Sequence, residues 1–223
     1  MNKQAPIANQ SYVKVEQTEV ARVLRNTYGL LALTLAFSGL VAFFSQQAHA
    51  GPPNIFVTLI GFYGLFFLTV KFKDSSWGLL TTFALTGFMG YTLGPILNSY
   101  LGMTNGAEII SSAFAMTALV FIGLSTYVLM TRKDMSFLNG FVVVGFFVLL
   151  AATLANLFFH ISGLQLAISA GFVLFSSAAI LLQTSAIIHG GETNYIMATI
   201  SLYVSIYNLF LSLLQILGFV SND

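Results

Sequence analysis

Few side chains in this 223-residue chain could carry chemistry, and their spacing narrows the choice further. A histidine and a carboxylate stand close together at His189-Gly190-Gly191-Glu192. Two donors are too few for a metal centre, which takes three or four protein ligands, and His49 and His160 fall in other connections. His189 and Glu192 could form a pH-responsive pair, since histidine titrates near neutrality. They could equally be a helix end followed by its glycine terminator. The chain has no cysteine, which excludes disulfides, thiolate nucleophiles and thiolate metal sites. It has no Ser-His-Asp set, no phosphate loop and no His-Glu-x-x-His. No catalytic residue, metal site or cofactor is assigned.

The remaining polar chemistry sits inside apolar segments. Ser201, Ser205, Asn208, Ser212 and Gln215 follow one another at helical steps and fall on one face. Ser169, Ser176 and Gln183 recur every seventh residue, with Ser177 and Thr184 beside them. Lipid cannot satisfy such groups, so the two stripes must face each other or a water-filled interior. Interhelical hydrogen bonds of about 0.5–2 kcal/mol each are one outcome, and a polar cavity is the other. Both put these two segments at the centre of a bundle. No Asp, Glu, Lys or Arg lies mid-segment, whereas ion carriers and proton pumps usually need one there.

The elements that position these residues are seven apolar segments, roughly Tyr28–Phe44, Ile55–Val70, Trp77–Leu101, Ile109–Met130, Phe137–Phe159, Leu164–Ile188 and Tyr195–Val220. Charged residues make up 7% of the chain, where a soluble domain has about 25%, and the mean hydropathy is +0.88. A bilayer core of ~30 Å needs about 20 apolar residues per helix, so the sequence predicts an all-α membrane protein of seven spans. Every Lys and Arg lies before the first segment (Lys3, Lys14, Arg22, Arg25) or in alternate loops (Lys71 and Lys73, then Arg132 and Lys133). Cationic short loops stay in the cytoplasm, which predicts a cytoplasmic N-terminus and, with seven spans, a C-terminus across the membrane. The cations mark topology and form no nucleic-acid patch.

Residues 1–26 are predicted to be a cytoplasmic polar tail and 27–223 the transmembrane domain. Within the tail, Met1–Gln10 has a disordered composition, and Val13–Leu24 reads as a short interfacial helix or a solvated leader. Ala48-His49-Ala50 resembles a signal-peptidase site, but the long, acid-containing leader favours an uncleaved first helix. No internal repeat is evident. In the third segment Gly90 and Gly94 form a small-xxx-small pair, and Pro95 deletes a backbone donor and should kink the helix. Asn98, one turn on, could satisfy a freed backbone group. This stretch is either a packing seam or a hinge that opens a cavity.

Three stretches resemble the Bax inhibitor (transmembrane Bax inhibitor motif) family. They are Gly87–Pro95 with Ile96-Leu97-Asn98, Arg132–Leu138, and His189–Ile196 running into Ser201–Asn208. Leu24–Tyr28 also fits, and the similarity extends over nearly the whole chain from Val23. The resemblance implies a seven-helix bundle in the bacterial inner membrane that binds and modulates the FtsH membrane protease, as partner and substrate. Other family members resemble pH-gated calcium leak channels with two membrane-embedded aspartates. The matching positions here are Gln183 and Ser205, close to Asn208, and neither can titrate. Calcium is therefore a ligand only under that alternative, with a Gln183–Ser205 hydrogen bond expected in place of the acidic pair.

Overall fold

In hydrocarbon every backbone polar group must be satisfied within the protein, and a chain of apolar segments about 20 residues long does this by forming helices. The computed structural model describes residues 5–49, 51, 54–159 and 161–221, by backbone alone at 5–17 and at 162. The helices are α1 (Ala5–Gln47), α2 (Ile55–Phe72), α3 (Trp77–Leu101), α4 (Gly106–Thr131), α5 (Leu138–Phe159), α6 (Ser162–Ile188) and α7 (Tyr195–Val220). All seven are long and apolar enough to span a membrane, and no strand occurs among the described residues. The protein is a seven-helix membrane bundle.

α1 starts at Ala5, within the stretch expected to be disordered, and runs unbroken through the expected interfacial helix into the first span. Pro6 lies in its first turn, where the missing N–H costs nothing, and no other proline precedes Pro52. Met1–Gln4, Ala50, Pro52, Pro53, His160, Asn222 and Asp223 lie outside the described residues, and with them parts of the expected tail, the Ala48-His49-Ala50 site and the first turn.

α7 is the central element, with 56% of its apolar window buried. The sequence reading paired it with α6, but α6 is only 28% buried and α3 takes second place at 44%. The reason is steric. α3 presents Gly78, Gly87, Gly90 and Gly94 to its neighbours, so backbones approach closely, whereas α6 is flanked mainly by α5 and α7. Tyr203, Leu209 and Leu214 of α7 pack with Leu31, Leu85 and Ile180 in the core.

Three loops converge on one end. Asn194 ties the α6–α7 connection to Lys73 and Asp74 of the α2–α3 loop. Ser185 at the end of α6 receives the Met135 N–H of the α4–α5 loop at 2.9 Å. Lys71 in the last turn of α2 and Lys73, Arg132 and Lys133 in the loops thus gather at this basic end. α7 crosses the whole bundle, because Gly218 near its C-terminus lies against the Tyr100 ring at the far end.

Candidate functional site

α1 packs closely on α3 around Gly90, Gly94 and Pro95. A Cβ on Gly90 would land on the Ser38 carbonyl oxygen, and one on Gly94 would land on the Ser45 side chain. Pro95 cannot donate to the carbonyl four residues back, that of Tyr91. Ser45 Oγ of α1 donates to that orphaned oxygen at 2.8 Å. The expected donor was Asn98, but its Nδ2 instead bonds the Gln46 carbonyl at 3.0 Å near the end of α1. Each helix therefore satisfies the other's exposed backbone.

α7 completes this region with two hydroxyls. Tyr203 is 1% exposed, its Oη lying 2.5 Å from Ser38 Oγ and donating to the Thr86 carbonyl at 3.3 Å. Tyr207 Oη lies 3.3 Å from Thr92 Oγ1. Sequence reasoning missed this ladder. Its available signals were Ser38 and Ser45 one heptad apart on α1, and Tyr203 and Tyr207 four apart on α7.

Among the described residues the polar stripes of α6 and α7 meet by side-chain hydrogen bonds only at the far end. There Gln215 Oε1 accepts from Ser169 Oγ at 2.7 Å and from Gln165 Nε2 at 2.9 Å, and Asn156 Nδ2 donates to Gln165 Oε1 at 2.7 Å. Elsewhere Ser176 Oγ is enclosed without a protein partner, and three hydroxyls, beginning with that of Ser177, turn back onto their own helix. Ser205 Oγ donates to the Ser201 carbonyl at 2.8 Å, and Ser212 Oγ to the Asn208 carbonyl at 2.7 Å. The expected Gln183–Ser205 hydrogen bond is therefore not formed, and Gln183 Nε2 is enclosed without a protein partner. Thr184 Oγ1 turns to Tyr28 Oη of α1, at 3.4 Å.

At the basic end His189 and Glu192 each bond a different partner. His189 Nδ1 lies 2.9 Å from the Ser185 carbonyl, while Glu192 Oε1 accepts the Asn194 N–H at 2.8 Å. Gly190, at φ +72°, turns the chain, and the N–H groups of Gly191 and Glu192 both reach the Ala186 carbonyl. The Asn194 side chain accepts from Ile196 and Met197 N–H, capping α7. The Asp134 carboxyl is held below its ordinary range, first by the Ser136 N–H bonded at 2.8 Å, then by the Ser136 side chain and by His189. Among the described residues no three His, Asp or Glu side chains gather as a metal site.

The family model described as inhibitor of apoptosis-promoting Bax1 matches residues 20–222. The chain belongs to the Bax inhibitor family. It is 78% identical to a Pseudomonas aeruginosa protein over 93% of this chain and 94% of that one. It is 54% identical to the Escherichia coli K12 protein named modulator of FtsH protease YccA, over 97% of this chain and 99% of that one. The same identity and coverage hold for the inner membrane protein YccA of Escherichia coli O6:H1.

In this Bax inhibitor family bundle an apolar pocket is lined by neither Gln183 nor Ser205. It is a slot of about 620 Å³ between α1 and α4, floored by α3 and α7. Leu35, Phe114, Phe121, Ile206 and Phe210 make its walls apolar. The Tyr203 and Tyr207 hydroxyls at its floor are already bonded to Ser38 and Thr92.

Proposed function

We propose that this protein modulates an FtsH-type membrane protease by binding it in the cytoplasmic membrane, without catalysis of its own. One observation carries the reading: 54% identity, over nearly the full length of both chains, to a protein named for that role. The basic end fits it. Four cations gathered at one end belong on the cytoplasmic side by the positive-inside rule, where a membrane-anchored, ATP-driven protease works. The polar beginning of α1 precedes the apolar stretch Thr18–Gln47 and so projects from that end. A projecting segment gives an unfoldase something to grip, while the glycine seam between α1 and α3 resists extraction from the membrane.

The test is affinity purification from detergent-solubilised bacterial membranes, with tagged full-length protein beside a form lacking residues 1–20. Both are expected to recover FtsH, and only the full-length form should be degraded in cells. Failure of the full-length protein to recover intact protease would overturn the reading. The alternative, a calcium leak, is disfavoured because neither Gln183 nor Ser205 can titrate.

A further inference from the structure

We infer that the slot between α1 and α4 binds one acyl chain of a membrane phospholipid, drawn from the leaflet opposite the basic end. The lining of the slot begins at Leu35 of α1, Ile122 of α4 and Tyr203 of α7, and deeper along α1 the Tyr28 ring packs on Phe121 with centroids 6.1 Å apart. From there it runs toward the far end and continues into a second pocket that shares Gly39, Leu97 and Phe114 with it.

Length identifies the occupant. The slot follows α1 from Leu35 to Gln46, which at ~1.5 Å per residue is about 17 Å. One leaflet of hydrocarbon is half of a ~30 Å core, or about 15 Å. A partner's transmembrane helix must run the full thickness and would leave so short a trench for half its length, whereas an acyl chain spans one leaflet. The walls agree. Gly39, Ala36 and Ala118 leave the mouth open toward lipid, and a Cβ on Gly39 would meet nothing within 4 Å. The hydroxyls on the floor are occupied by Ser38 and Thr92, so the slot asks nothing polar of its ligand.

Polarity gives the direction of insertion. Inside the slot the hydroxyls of Ser38, Thr117, Tyr203 and Tyr207 are bonded within the protein, and where it leaves the bundle it is lined by Gln46 and Ser111, the depth at which α1 ends and α4 begins. A glycerol backbone and headgroup belong there. The far end carries no Lys or Arg, so recognition rests on the chain and not on an anionic headgroup.

The test uses the wild-type protein in vesicles of phosphatidylethanolamine doped with phosphatidylethanolamine bearing a diazirine near the end of one acyl chain. After irradiation, peptide mass spectrometry should place the crosslinks on Leu35–Gln46 and Phe114–Ile122. Crosslinks spread evenly over the lipid-facing surfaces of α2 and α5, or chain-to-chain links at the slot residues, would overturn the proposal. In native mass spectrometry of detergent-extracted protein, the paired substitutions Gly39→Leu and Ala118→Trp should lower the retained phospholipid about tenfold. Leu119→Trp, whose site is 71% exposed one position round α4, should leave it unchanged. Equal retention by the filled and wild-type proteins, with both still folded by circular dichroism, would sink the site.

Discussion

Two helix pairs dominate the interior, and they are held by opposite means. α1 and α3 meet through missing side chains: Gly90 and Gly94 bring two backbones together, and Ser38 and Ser45 fill what little space is left. α6 and α7 carry the more conspicuous polar residues, yet among the described residues they exchange side-chain hydrogen bonds only at the far end, through Gln165, Ser169 and Gln215. In lipid, where apolar surface gains nothing by leaving one apolar neighbour for another, close approach decides packing and polarity is secondary.

Substitutions can break this contrast. Gly90→Ala places a methyl group on a backbone carbonyl that cannot move alone, and should cost about 2–3 kcal/mol in unfolding by mixed detergent–dodecyl sulfate titration. Gly29→Ala on α1 meets nothing within 4 Å and should raise stability by up to about 1 kcal/mol. If both variants behave alike, the seam is not what holds α1 in place.

Next in size is Ser45→Ala, which strands the Tyr91 carbonyl and should cost about 1–2 kcal/mol. Adding Pro95→Ala restores the backbone donor, so the double variant should regain most of that loss. An additive result in the double-mutant cycle would show that Ser45 and Pro95 are uncoupled.

Smaller still is Gln215→Leu, on the α6–α7 side. It should cost about 0.6 kcal/mol, the mean for side-chain hydrogen bonds between membrane helices. A loss as large as that of Gly90→Ala would erase the distinction between the two pairs.

The smallest effect concerns Asp134, in the exposed loop of the basic end. Its folded pKa lies below the ordinary value, so its stabilisation is complete above the usual carboxylate pKa of about 3.9 and is lost as pH falls through the depressed value. Melting temperatures of wild type and Asp134→Asn should differ slightly at neutral pH and converge in acid. A gap that widens in acid would contradict the assigned cause.

The sequence shows the spans clearly because hydropathy and length decide them: Trp77–Leu101 and Tyr195–Val220 are the same in both readings. It shows much less of how the helices rotate against one another. Heptad spacing puts Gln183 on a stripe with Ser176, but only the packed bundle reveals that Thr184 next to it turns to α1 and that Ser205 bonds its own helix. Local reasoning likewise looked for the partner of the orphaned carbonyl within α3, at Asn98, when it came from Ser45, 46 residues upstream of Tyr91. The seam itself was half visible: Gly90 and Gly94 announced a close neighbour without naming it.

That long-range bond bears on biogenesis. Until α1 docks, the Tyr91 carbonyl faces hydrocarbon, and a bare backbone polar group there costs several kcal/mol. α1 leaves the ribosome before α3, so the hydroxyl that completes the proline-bearing helix is already in the bilayer when that helix arrives. The order of helices along the chain is thus also an order of assembly, with the first span serving as a built-in insertion chaperone for the third.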